Sequence, residues 1–456
     1  MRPITGVPSS RNGWFKDTFV RFFSSKVIVF SCLVIFLFLP LFFHGTRCGI
    51  PYVKGGDEPH YLIMINTLIE TKNWDVKKSY EEVWKGSTLA GKKYAGLPLD
   101  AHANYIVPGK ILPWSGVYEN PSIWKKDSEG QLVPLLKPGI DDSTLRACPG
   151  HPYGMAFLLA SILWPFKNTP WVEPLALLFA NLSVLLSVFL FRRLIRRYVN
   201  DSLIVNLSTF IVFLCTPLWA YGRTLFNEPF LILFGLVGYL AALDKKSGFW
   251  SGLFLGIGLF MKPTFCILLF PLGIHWLLRK DWGNILRMAV GPALALAFYL
   301  YTNNELYGSP YHFYDHKDFG DTLQGMFGLC FSWNHGLLPF LPVVIPVLFF
   351  WKRFLREKGE EAWVLGGAVI LNYFFWANIV GDWYGGWCYG PRQMVPVIPF
   401  LMIPIFYALE SYHSWKKWQQ WVFVILCLLS FSFNALGAMD GYWDSHPLTI
   451  LKGNVS

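Results

Sequence analysis

The residues best suited to chemistry lie in Gly55-Gly56-Asp57-Glu58-Pro59-His60-Tyr61, where two adjacent carboxylates follow the first membrane-length apolar run. A carboxylate at a membrane surface can act as a general base, taking the proton from a hydroxyl as that oxygen attacks an activated carbon. It can also hold a divalent metal through hard oxygen ligands. Pro59 suits the first position of a helix, where a missing N–H needs no partner. Helix capping is therefore the competing reading of both acids. His60 adds a substrate-binding candidate, against the plainer role of a polar residue beside a helix start.

Three further stretches place charge where the chain is otherwise apolar. Glu228, in Arg223-Thr224-Leu225-Phe226-Asn227-Glu228-Pro229, falls at the outer end of an expected helix, on the side of Asp57. It is the candidate second acid, a candidate metal ligand with Asp57, and a pair for Arg223, with capping again the alternative. Lys262, in Met261-Lys262-Pro263, breaks a long apolar stretch at an outer turn. Its functional reading is a point charge for a lipid phosphate, and its plain reading a snorkelling lysine. Arg392 closes Trp383-Tyr384-Gly385-Gly386-Trp387-Cys388-Tyr389-Gly390-Pro391-Arg392. There glycines permit close backbone approach, Tyr384, Trp387 and Tyr389 can stack on sugar rings, and Arg392 can grip phosphate with a bidentate fork. Loop packing with an interfacial arginine competes with that reading.

The elements that must position these residues are membrane helices. Hydrophobic residues make up 54% of the 456, charged residues only 15%, and the mean hydropathy is +0.38, which excludes a water-soluble globular chain of ordinary composition. Aromatic residues reach 18%, and Trp and Tyr near the ends of apolar runs fit interfacial belts. The formal charge of +10 is dispersed in short clusters, with no basic domain to track nucleic acid. Of eight cysteines, none has metal-ligand pair spacing. Cys48 and Cys148 bracket the first large loop, as a disulfide in an oxidising compartment or as free thiols.

Spanning takes about 20 apolar residues, which predicts about eleven transmembrane helices in an all-α polytopic fold, centred near 35, 181, 211, 236, 255, 271, 295, 345, 371, 402 and 429. The positive-inside rule puts the N-terminus in the cytoplasm, with clusters such as Arg192-Arg193, Lys245-Lys246 and Lys416-Lys417. The organisation expected is a cytoplasmic leader over 1–26, a first transmembrane helix over 27–43 and a large outer loop over 44–170. A multi-helix membrane domain over 171–438 and an outer tail over 439–456 follow. The first apolar run lacks a small-residue cleavage site and reads as a retained anchor. Pro152 to Phe166 is apolar but short, and reads as a juxtamembrane or re-entrant helix, because a full span there would invert every later basic cluster. Within the loop, Pro59 to Ile69 is an amphipathic helix candidate.

In their order and sidedness, Asp57-Glu58, His151-Pro152-Tyr153, Asn227-Glu228-Pro229, Gly258-Leu259-Phe260-Met261-Lys262-Pro263 and Gly390-Pro391-Arg392 resemble the GT-C membrane glycosyltransferases. That class includes aminoarabinose transferases of lipid A and protein O-mannosyltransferases. The resemblance implies a sugar carried on a polyprenyl or dolichyl monophosphate, and inverting transfer on the non-cytoplasmic face. It implies that Asp57 is catalytic, that Glu58 supports it, and that Glu228 is the second acid. Donor phosphate would fall to Lys262, Arg392 and Arg223. His151-Pro152-Tyr153 departs from the commoner His-Pro-Pro pattern, so no role passes to His151. A divalent metal stays open, with Asp57 and Glu228 as its ligands.

The partners expected are a polyprenyl-phosphate-linked sugar, a hydroxyl acceptor and the bilayer, with no nucleic acid. No nucleotide cofactor is expected, since neither a Walker A sequence nor a dinucleotide fingerprint occurs. The expected location is a bacterial inner membrane, with the site facing the periplasm or exterior. A transporter or flippase of lipid-linked glycans, and a non-catalytic scaffold, are the alternatives. The absence of internal repeats and the one-sided acids weigh against transport.

Overall fold

Long apolar runs bounded by charged or capping residues become helices throughout this computed structural model. It describes residues 25–43, 46–47, 50–51, 56–84, 88–89, 92–93, 103–107, 110–119, 124–126, 132–244, 248–310, 319–379, 383–386 and 388–440. Residues 1–24 of the expected cytoplasmic leader (1–26), Cys48, the Lys245-Lys246 pair, Trp387 and nearly all of the expected outer tail (439–456) lie outside the described residues.

The principal helices are α1 (Lys26–Phe43), α2 (Glu58–Thr71), α3 (Lys77–Trp84), α4 (Gly154–Leu163), α5 (Val172–Ile195), α6 (Ser202–Leu214), α7 (Glu228–Leu243) and α8 (Gly248–Met261). They continue with α9 (Leu269–Leu278), α10 (Trp282–Tyr307), α11 (Thr322–Phe331), α12 (Val344–Lys358), α13 (Glu360–Ala377) and α14 (Lys417–Asp440). Local chemistry sets several ends. Glu173 in the first turn and Arg192 and Arg193 in the last turn of α5 match the helix dipole. Asp281 and Asp321 cap α10 and α11 by accepting from backbone N–H groups. Gly308, at φ 67°, ends α10 in the left-handed conformation that glycine adopts without strain.

Ten of the eleven expected helix centres fall inside helices. The other, near 402, falls on the break between Arg392–Leu401 and Ile405–Ser414, which are bent by 48°. Pro396, Pro399 and Pro404 account for that break, since each removes a backbone donor and crowds the preceding turn. By length and composition three of the described helices, α5, α10 and α14, suffice to cross a bilayer, or four with the bent pair counted as one. Most of the others run to 10–17 residues, so helix positions follow the expectation while the count of eleven full spans does not follow from length. The chain is an integral membrane protein.

The expectation of an all-α chain needs one correction, because segment 44–170, the expected outer loop, contains a small antiparallel sheet. Its strands β1 (Ala103–Val107), β2 (Lys110–Pro113) and β3 (Arg146–Pro149) lie in the order β2-β1-β3. Tyr105 stands opposite Leu112 and Ala147. The run Asn104-Tyr105-Ile106-Val107 has the aromatic and β-branched residues that suit a pleated surface, but it is too short to stand out in a sequence dominated by helix. Edge strand β3 is tied down at two adjacent residues. Asp75 accepts from Ala147 N at 3.0 Å, and Arg146 donates to the Leu306 carbonyl at the end of α10 at 2.9 Å. Cys148, next along the strand, is a free thiol, pushed up to about 12 by burial.

Segment 152–166 forms α4 followed by a short 3-10 turn, packed against α2 and α8. The most extensive helix packing is between α8 and α10. A Cβ on Gly252 would stand 2.0 Å from the Met288 carbonyl oxygen, and one on Gly291 2.0 Å from that of Gly252. Gly248, Gly252 and Gly256 repeat every fourth residue and form one face, so the two backbones touch as small-residue membrane helix pairs do. Gly252→Val is expected to destabilise the fold by at least about 1–3 kcal/mol, the usual penalty of overpacking. Thermal unfolding in detergent measures it, with an unchanged midpoint counting against this contact.

Candidate active site

Two staples between α2 and the segment entering α7 bring the first-loop acids to Glu228. Glu58 Oε1 accepts from the Leu225 backbone N–H at 2.7 Å. Asn227 Nδ2 donates to the Tyr61 hydroxyl at 2.6 Å. Asp57 occupies the N-cap position of α2 but makes no side-chain capping bond. Its carboxylate instead meets Arg392, Nη2 to Oδ2, at 2.6 Å. Asp57 and Glu58 thus face different partners: one meets a cation, and the other anchors the helix to a backbone amide.

Arg392 is the hub. Besides Asp57 it reaches Glu228 Oε1 through Nε at 3.1 Å, and it donates from Nη1 to the Gly385 carbonyl at 3.2 Å. Its guanidinium lies 4.3 Å from the centroid of the Phe226 ring, a cation–π contact that strengthens away from water. Gly385 takes φ 86°, and a side chain there would press on Arg392 itself. The glycine therefore lets the backbone close over the guanidinium.

Glu228 is fully buried and shares its Oε1 between Arg392 and Lys262, whose Nζ stands 3.0 Å away. Lys262 also donates to Gln393 Oε1 at 3.1 Å and sits 5.1 Å from the centroid of the Trp376 ring. Asn372 of α13 donates to the Gln393 backbone carbonyl at 2.9 Å. The result is a row Asp57, Arg392, Glu228, Lys262, with two formal charges of each sign. Pairing is what makes such a group tolerable in a buried site, since a lone ion there would bear its full desolvation penalty. Asp57 and Lys262 stand at the ends of the row, with side-chain exposures of 16% and 15% against none for Glu228. The row is therefore reachable at its ends and closed at its centre.

Other expected site residues are placed elsewhere. Arg223 does not join Glu228: its Nη2 is 3.5 Å from the Gly437 carbonyl of α14. Tyr389 is 1% exposed and donates to the Phe433 carbonyl of the same helix at 2.9 Å, so it packs the bundle and offers no face for stacking on a sugar. Tyr384 is half-buried with its ring 5.4 Å from His335. His60 is buried with Nδ1 2.6 Å from the Tyr80 hydroxyl, and its ring lies 5.6 Å from that of His151. Arg392 joins Asp57 and Glu228, and Lys262 also takes Glu228 Oε1, while Glu228 Oε2 is buried with no hydrogen-bond partner. No group of three or more His, Cys, Asp or Glu that could hold a metal occurs among the described residues.

Gln393, Asn372, Phe226 and Trp376 are the members of the site that residue types alone do not single out. Gln393 and Asn372 carried a usable signal as polar residues inside apolar helical runs.

Neither a family model nor a curated protein matches the chain. Solved structures do match, two of them of one protein. The structure of ArnT from Cupriavidus metallidurans in the apo state has a TM-score of 0.47 at 15% identity, covering 91% of this chain and 63% of that one. The structure of the same protein bound to undecaprenyl phosphate has a TM-score of 0.50 at 15% identity, covering 94% of this chain and 70% of that one. The chain thus spans about two thirds of that protein's length. The likeness is one of fold: the chain shares its architecture with that protein.

Proposed function

We propose that the protein is an inverting membrane glycosyltransferase, moving a sugar from a polyprenyl phosphate to a hydroxyl acceptor at the non-cytoplasmic face. The observation that carries this reading is the Asp57–Arg392–Glu228–Lys262 row. It puts an accessible carboxylate in one row with two cations inside a GT-C-type fold, and the solved structure at TM-score 0.50 has undecaprenyl phosphate bound.

In the proposed step the acceptor oxygen forms its bond to the anomeric carbon as the bond from that carbon to the phosphate oxygen breaks. Asp57 takes the hydroxyl proton. The electron pair leaves on the polyprenyl phosphate, whose growing charge Lys262 and Arg392 stabilise in a water-poor site. Glu228 keeps both cations in register, which makes it a positioning acid. Glu58 acts through its hold on Leu225, and Tyr384 supplies an aromatic face for the sugar. A lipid, a glycan or a protein can each offer the hydroxyl. The setting that suits this chemistry is a bacterial inner membrane with the site facing the periplasm.

The direct test is binding of undecaprenyl phosphate to purified protein. Lys262→Ala is expected to weaken it by about tenfold or more, as loss of one hydrogen bond to a charged group of about 1.5–3 kcal/mol implies. Arg392→Lys keeps the charge but gives up the fork, and a loss of similar size is expected. Unchanged affinity in both variants would remove the phosphate role from this site.

A further inference from the structure

At the far end of α7 from Glu228, about 24 Å away for a helix of 16 residues, the C-terminal turn of α5 carries Arg192, Arg193, Arg196 and Arg197. Two of these are neutralised within the fold. Arg193 and Arg197 pair with Asp244 at 2.5 and 2.6 Å, and Arg197 also pairs with Glu361 at 2.6 Å. Arg196 has only the Ser202 hydroxyl, at 3.2 Å. Arg192 is the exception that matters. Its Nε donates to Asn206 Oδ1 at 3.0 Å, its Nη2 is buried with no hydrogen-bond partner, and no carboxylate pairs with it among the described residues.

Arg192 also lines a cleft of about 330 Å³ between α1, α5 and α6. Apart from Ser31, Asn206 and Thr209, the rest of the lining is apolar, with Phe30, Leu33, Val188 and Phe189 prominent. That size is at the low end for ligand sites, roughly 300–1,000 Å³. Val27 at its edge is 74% exposed. A hydrocarbon slot ending at an arginine without an acid has the shape and charge of a lipid bearing an anionic head. Basic pockets between membrane helices are where such heads bind.

We propose that this cleft is a binding site for an anionic phospholipid, with one acyl chain between α1 and α5 and the headgroup phosphate on Arg192. The lipid supplies the counter-charge that no carboxylate among the described residues gives Arg192, at the end of the bundle opposite the Asp57 row. The site is independent of the glycosyltransferase reading.

The test is native mass spectrometry of the full chain released from nanodiscs holding equal phosphatidylglycerol and phosphatidylcholine. The wild type is expected to retain one phosphatidylglycerol at least about tenfold over phosphatidylcholine. Arg192→Gln should lose that preference, while Arg193→Gln, whose partner Asp244 keeps Arg197, should retain it. Val27→Trp, at an exposed edge position and with no change of charge, should lower retention by obstructing the slot, which keeps the proposal testable if Arg192→Gln folds poorly. Equal retention of the two lipids by the wild type would overturn the proposal, as would an undiminished preference in both Arg192→Gln and Val27→Trp. No retained lipid would overturn it too.

Discussion

Asp57→Asn is expected to lower glycosyl transfer by about 10²–10⁴-fold, the usual contribution of a positioned general base, while the yield of folded, membrane-inserted protein stays unchanged. The amide keeps the shape of the side chain and an oxygen for Arg392 Nη2, now at 2.6 Å, but it cannot take a proton from the acceptor. Arg392 keeps Glu228 as a carboxylate partner at 3.1 Å, so one substitution does not strip the guanidinium of all its counter-charge. Turnover of a polyprenyl-phosphate sugar, normalised to folded protein, measures the effect. Wild-type turnover in Asp57→Asn would take Asp57 out of the mechanism.

The second large effect is on stability. Glu228 is fully buried and neutralises two cations at once. Removing one partner of a buried ion pair costs about 3–5 kcal/mol, mainly through the charge left behind. Glu228→Gln is expected to fall in that range, because Lys262 and Arg392 would share only Asp57. Glu228→Gln combined with Lys262→Met should recover part of the loss, since one buried cation then needs no counter-charge. Chemical unfolding in detergent checks both. A single variant as stable as wild type would mean that the row contributes nothing net to the fold.

The ionisable part of the site was legible in sequence because charge is rare in a chain that is only 15% charged, and an ion placed among apolar helices needs a reason. Asp57, Glu228, Lys262 and Arg392 stand out on that ground alone. What sequence could not supply was direction. Arg223 and Glu228 lie five residues apart, yet the turns between them send Arg223 toward Gly437 and Glu228 toward Arg392. Tyr389 sits in a loop of the right composition for stacking, but its hydroxyl finds the Phe433 carbonyl and its ring packs edge-on to Phe340. Glu58 looked like a partner in chemistry because it adjoins Asp57, whereas one step along the chain turns it to the Leu225 amide.

The fold divides in the same way. Apolar runs located the helices, since hydrophobic length is a property of the run itself. Strand β1 depends on partners distant in the chain, and so leaves little local trace. The Gly248, Gly252, Gly256 spacing was present to be read and marks the most extensive helix contact.

The most direct measurement of the central claim is mass spectrometry of envelope lipids and glycans from cells lacking the protein, complemented with wild type or Asp57→Asn at matched expression. The account predicts a sugar-sized mass difference restored by wild type and not by Asp57→Asn. Equal restoration by both would contradict it, placing the base elsewhere or making the protein a transporter or scaffold.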